Sequence, residues 1–217
     1  MALSFPLSVT SLADVIRMSS IRMKLIGDQQ ISGMGGGRII VADLSPKYWE
    51  FEVTLINMEN ALARQVQSII ESLDEGLNDF YLYDPRAAYP IGDSDGTRLG
   101  GATVKIHSLE TNNKELKLKG LPNGYVLSAG DLFHFDFGTP TKRALHRIVT
   151  GGVVPSGGVS PTLEVRPHIM AGAEADITVT LIKPAARVKI IPGSFDPGTA
   201  RQMMTTGMGF KARQVIV

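Results

Sequence analysis

Four histidines, His107, His134, His146 and His168, are the side chains of this chain best suited to moving protons. In His134-Phe135-Asp136 a strand would put His134 and Asp136 on one face, the arrangement by which a carboxylate orients a general base. Such a pair works only beside a nucleophile. The chain has many serines but no nucleophile elbow around any of them, it has no cysteine, and it has no His-Glu-x-x-His or His-x-His to hold a metal. A polar face opposite Phe133, Phe135 and Phe137 accounts for both residues without chemistry. The sequence therefore assigns no catalytic, cofactor-binding or metal-binding residue, and the expectation is a protein without enzymatic activity and without cofactors.

Two further motifs are built from residues that bind ions. Gly33-Met34-Gly35-Gly36-Gly37 has the glycine density of a loop whose backbone N–H groups cradle phosphate. No Gly-Lys-Ser/Thr closes it and no helical pattern follows, so both the lysine and the helix dipole are missing, and a hairpin tip is the simpler assignment. Asp93-Ser94-Asp95-Gly96 is a fragment of a calcium loop, but the later bidentate carboxylate and the flanking helices are absent, which favours an Asx-type turn. Lys114, Lys117, Lys119, Lys142, Arg143 and Arg147 put positive charge near the phenylalanines, as a nucleic-acid platform would. Glu110, Glu115, Asp131, Asp136 and Glu164 offset most of it, and 22 basic against 21 acidic side chains overall leave no basic field.

The elements that must position these residues are mostly strands. Trp49, Phe51, Val53 and Leu55 alternate with Glu50, Glu52 and Thr54, which predicts a strand with one buried face. Leu62, Val66, Ile69, Ile70 and Leu73 then fall on one face of a helix, with Asn57 or Asn60 to cap its start and Gly76 to end it. Earlier, Ser11 to Ile16 fits a capped helical turn or an extended arm. Ile21, Met23 and Leu25 read as a strand, with Arg38 to Ala42 as its hairpin partner across the glycines. Phe80 to Tyr83 is one more strand.

The composition changes at Ala87 to Gly101, which is rich in Gly, Pro, Asp and Ser and marks a boundary. Strands are predicted at Val104–Ile106, Leu116–Leu118, Phe133–Phe137, Ala144–Val149 and Thr162–Arg166. Together they fit a small barrel, of the oligonucleotide/oligosaccharide-binding type, or a compact sandwich. Strands around Val179, Val188–Ile190 and Met208–Ala212 then resume the character of the first 86 residues. The expected fold is mainly β (α+β): a strand-rich split barrel or sandwich with one long helix, built from residues 1–86 and 176–217, with residues 87–175 inserted as a small all-β barrel. No stretch approaches the ~18 apolar residues of a membrane span, and the start of the chain lacks the basic and apolar regions of a signal peptide. Synthesis in the cytoplasm without membrane insertion is expected.

Four segments resemble distal tail proteins, the baseplate hubs of long-tailed bacteriophages (siphophages) and gene transfer agents. They are the Trp49–Leu55 strand leading into a helix, Phe80-Tyr81-Leu82-Tyr83-Asp84-Pro85, Leu127-Ser128-Ala129-Gly130-Asp131 before an aromatic strand, and Pro192-Gly193-Ser194-Phe195-Asp196 near the end. The resemblance implies a structural virion protein of the viral tail tip, made in the bacterial host cytoplasm. It implies a homo-hexameric ring whose partners are its own copies, the tail tube protein and other tail-tip proteins, with DNA only in transit through the lumen. It also implies that the glycine hairpin, Gly33, Met34, Gly35, Gly36, Gly37 and Arg38, is a subunit interface where missing side chains permit close backbone approach. An alternative from the same residues is a carbohydrate- or surface-binding module that uses the inserted domain.

Overall fold

The computed structural model describes residues 3–33 and 35–216. A short helical turn, Val9–Ala13, opens the chain, with the Ser8 hydroxyl accepting from the Ser11 N–H. Strands β1 (Met18–Ile26), β2 (Gln29–Gly33), β3 (Ile39–Asp43), β4 (Tyr48–Leu55) and β5 (Met58–Glu59) precede helix α1 (Asn60–Glu71) and strand β6 (Phe80–Tyr83). The middle of the chain holds β7 (Lys105–Leu109), β8 (Glu115–Lys119), β9 (Val126–Leu127), β10 (Leu132–Phe137), β11 (Lys142–Thr150), β12 (Gly152–Val153), β13 (Leu163–Arg166) and β14 (Val179–Thr180). Strands β15 (Ala185–Ile190), β16 (Thr199–Ala200), β17 (Met204–Thr206) and β18 (Gly209–Gln214) follow. The fold is mainly β, with α1 the one α-helix among the described residues.

A five-stranded sheet runs in the order β1, β4, β18, β15, β6. Alternation on β4 buries Trp49, Phe51, Val53 and Leu55, and these meet Phe80 and Leu82 of β6, Val188 of β15 and Phe210 of β18 in one apolar core. Helix α1 covers that core with Ala63, Val66 and Ile70, and Leu73 just beyond its end is fully buried. The expected asparagine cap is not used: Glu59 precedes the helix with no side-chain bond. Asn60 turns elsewhere, donating to the Arg201 backbone oxygen at 2.9 Å and accepting from the Thr205 hydroxyl at 2.9 Å, so it ties α1 to β17. Gly76 takes the left-handed backbone, at φ +114°, but it does not end the helix as expected: α1 stops at Glu71 with Ser72 as its cap, and Gly76 closes the short turn Asp74–Gly76 that follows.

The second sheet runs β14, β10, β11, β13, β8, β7, and its two edge strands meet. Lys105 bridges Thr178, and the backbone bonds Ile106 N–H to Ile177 O and Val179 N–H to Val104 O, both 2.9 Å, close the sheet into a barrel. Closure removes the open edges that make isolated sheets prone to pairing with other chains. Phe133, Phe135 and Phe137 fill the interior with Leu116, Leu118, Ile148 and Val165.

The strands nearest the boundaries differ from expectation. Ile177 to Leu181 is expected to rejoin the first sheet, but Val179 pairs with Phe135, and Val179 and Leu181 lie in the barrel core. The chain returns to the first sheet only at Ala185, because β14 is the strand that closes the barrel. Arg38 to Ala42 is expected to pair with Ile21 to Leu25. Instead β3 pairs with β2 (Ile31 opposite Val41), whereas β1 pairs with β4 (Met23 opposite Phe51). Pairing with β4 brings Met23 into the first core, with Ile21 and Leu25 packed against it.

Tyr83 of β6 lies directly opposite Ala185 of β15 in an antiparallel pair. Everything between them, including the whole barrel, leaves and re-enters the first sheet at one hairpin position. The barrel then packs back onto that sheet: Leu132 and Leu145, on the outer face of β10 and β11, are buried in the first core. Arg147 sits 4.8 Å over the Trp49 ring and Arg143 4.0 Å over Tyr81, cation–π contacts across the same junction.

Candidate interaction surface

Strands β2 and β3 stand away from both cores, and every described residue of the pair is exposed. The hairpin is held at its base by Gln29 Nε2 donating to Asp43 Oδ1 at 2.6 Å and by the Leu44 N–H to Asp28 O bond at 2.8 Å. Cross-strand register puts Gln29 with Asp43, Ile31 with Val41 and Gly33 with Ile39. Residues two apart share a face, so Ile31, Val41 and Ile39 form one aliphatic stripe, exposed by 69%, 51% and 66%. The other face carries Gln30, Ser32, Ile40 and Ala42.

The glycine tip lies at the far end of this arm. Gly37 has φ +78°, a conformation that suits glycine, and a side chain at Gly33, Gly35 or Gly36 would meet nothing within 4 Å. Arg38 is exposed and forms no ion pair among the described residues. Met34 lies outside the described residues. The tip therefore has space on every described side: Gly37 is called for by its backbone conformation, and no contact within this chain requires Gly33, Gly35 or Gly36.

The histidines do not converge on a reaction centre. His134 and Asp136 share a strand face as expected, but each has another partner. His134 Nδ1 accepts the Ala185 N–H at 3.1 Å, which uses the lone pair a base would need. Burial, then the Arg143 charge, lowers its pKa to about 3, so the ring stays neutral. Asp136 takes both arms of Arg143 at 2.7 Å, and against partial desolvation this guanidinium holds the carboxyl below its ordinary range. A 390 Å³ recess beside the pair adds Thr178 and Thr180 but leaves those hydroxyls no free base.

His146 lies inside the barrel, its ring 5.5 Å from Phe133 and 5.3 Å from Phe135. The Pro167 carbonyl accepts from Nδ1 at 2.9 Å, while Nε2 is buried with no partner among the described residues. Burial lowers the pKa to about 4. Its alternation with Ala144 and Ile148 is the sequence signal that marks it as a core residue. His107 is exposed on β7.

The aspartates of the calcium-like fragment serve the backbone. Asp93 is buried and accepts from the Arg98 and Leu99 N–H groups and from the Tyr125 hydroxyl. Asp95 accepts from Thr97. Of the basic residues of the barrel, Arg143 and Arg147 are taken up by the aromatic contacts at the junction and Lys119 pairs with Asp176.

A 600 Å³ cleft lies between the base of the arm and the barrel. Leu44, Leu145, Ile169, Met170 and Ile216 give it apolar walls. Lys47, Arg166 and His168 contribute cationic or titratable groups, with Asp43 the one acid of its lining. Burial, then the charges of Arg166, Lys114 and Lys47, keeps His168 below its ordinary pKa, which places it in a positive field. No Trp, Tyr or Phe lines the cleft, so it offers no ring on which a sugar could stack. A scan against models of known protein families and a search of curated proteins both return no match to this chain.

Proposed function

We propose that this chain is a structural subunit of a phage tail tip, assembling into a ring that joins the tail tube to the baseplate and leaves a lumen for DNA. The observation that carries this is the β2–β3 arm. A two-stranded hairpin is marginal in water by itself, and an aliphatic stripe on its exposed face marks a surface made to be covered by another protein. Ring contacts between identical subunits join two different patches and close by rotation. An arm held clear of its own core supplies one such patch. A formal net charge of +1 suits a wall that DNA passes without being held. The barrel, inserted at one hairpin position of the first sheet, is the part that projects from the ring.

The test is the assembled species. Purified protein at high concentration should give a closed ring of about six copies in electron micrographs and a matching mass by light scattering. A variant with residues 29–43 replaced by a short Gly-Ser turn should stay folded and monomeric. Wild-type protein that remains strictly monomeric, together with tails that lack a ring of this chain, overturns the proposal.

A further inference from the structure

Resting on the ring assembly proposed above, we infer that the arm of one copy seats in the interdomain cleft of the next. A heterologous ring contact needs a donor surface and a different acceptor surface. The arm is the donor, with Ile31, Val41 and Ile39 in one stripe. The cleft has the complementary shape and chemistry. Its 600 Å³ is within the size range of clefts that bury small-molecule ligands, and Leu44, Met170 and Ile216 present apolar surface to it.

Charge selects the same pairing. The arm carries Asp28 and Asp43 at the base of its aliphatic stripe, against Arg38 at its tip. The cleft sets Lys47, Arg166 and His168 against its single acid. Lys47 forms no ion pair among the described residues, and Arg166 is held on one side by Glu164 at 2.6 Å. An aliphatic strand followed by carboxylates fits an apolar cleft rimmed by cations, and such rim charges set orientation and encounter rate more than affinity. Asp43 to Lys47 form both the base of a copy's own arm and one wall of its cleft. Seating a neighbour's arm therefore lays it beside the root of the resident arm, and each contact in the ring braces the next.

The absence of cysteine from the chain permits a direct test. One preparation carries Ile31→Cys or Ile39→Cys, a second carries Met170→Cys or Ala171→Cys, and the two are mixed under mild oxidation at a concentration where copies associate. A disulfide between an arm cysteine and a cleft cysteine, formed only in the mixture, is the expected result. Lys47→Glu in the cleft partner should lower its yield several-fold. Rings that form without this cross-link, or arms that cross-link only to arms, overturn the cleft as acceptor and leave the ring intact. Failure of the copies to associate at all overturns both.

Discussion

The indole Nε1 of Trp49, on the first sheet, donates a 2.8 Å hydrogen bond to the backbone oxygen of Leu145, on the barrel. The donor and acceptor are 96 residues apart in sequence, and both side chains are buried in the same core. The first sheet and the barrel are thus joined through a specific polar contact as well as by apolar packing. Trp49→Phe keeps most of the packing but strands the carbonyl, and should cost about 1–3 kcal/mol. Trp49→Ala adds a cavity and should cost about 3–5 kcal/mol. Denaturant midpoints at unchanged slope check both, and a neutral Trp49→Phe would contradict the coupling.

Acid should unfold the barrel through its two buried histidines. His134 and His146 have pKa values lowered by burial to about 3 and about 4 in the folded chain, whereas an unfolded histidine titrates near 6.5. The unfolded state therefore binds more protons between those values. Stability is complete above about pH 6.5 and falls as pH drops toward 4, by up to about 1.4 kcal/mol per pH unit for each histidine. His146→Phe, which preserves the stacked ring, should flatten that slope in urea titrations at successive pH values. A slope unchanged from wild type would show that acid acts elsewhere.

Asp93 and Asp95 should behave differently although they are two residues apart. Asp93→Ala leaves two backbone N–H groups and the Tyr125 hydroxyl without their acceptor in a buried site. A cost of about 1–3 kcal/mol for each stranded donor is expected, with faster amide exchange at Arg98 and Leu99. Asp95→Ala removes only an exposed turn contact to Thr97 and should change little. Added calcium should not alter the melting temperature of either variant.

Glycine substitutions separate the two regions where this residue recurs. Gly76 is left-handed, and a Cβ there would collide with the Ile190 carbonyl, so Gly76→Ala should lose more than the roughly 1–2 kcal/mol of backbone strain alone. Gly36→Ala faces open space in the isolated chain and should shift its stability by less than about 0.5 kcal/mol. If Gly36 approaches a neighbour closely, the same substitution should reduce ring yield. Melting curves and light scattering on the two variants read the difference.

Excision of the barrel can be made at Tyr83 and Ala185, which face each other across the sheet. Replacing residues 84–184 with Asn-Gly supplies the two-residue turn that such a pair accepts. The remaining chain should unfold cooperatively but at lower denaturant, because the positions of Leu132 and Leu145 are vacated and Trp49 is uncovered. A product with no cooperative transition would show that the first sheet depends on the barrel to fold.

Alternation made β4, β10 and the helix face of α1 readable, since each has one buried side and its residue types report that side. The pairing of β2 with β3 was not readable, because Ile39, Ile40 and Val41 look like core residues and the structure leaves them in solvent. Ile177 to Leu181 alternates just as β15 does, and nothing local tells which core such a strand fills. The histidine motif His134-Phe135-Asp136 predicted a shared face correctly. What it could not reveal was the Ala185 N–H and Arg143 that occupy the two side chains, because both partners lie elsewhere in sequence. The cleft has no motif at all: its walls come from five separate segments brought together by tertiary packing.

Strand β18 lies between β4 and β15, so the middle of the first sheet is filled by a segment made after all its neighbours. During synthesis the barrel, complete once β14 has emerged, can close while β4 still lacks one partner. A nascent chain that stops before Gly209 would hold a finished barrel beside an open sheet. A chain cut before Gly209 should therefore expose the facing edges of β4 and β15, and limited proteolysis would read that exposure.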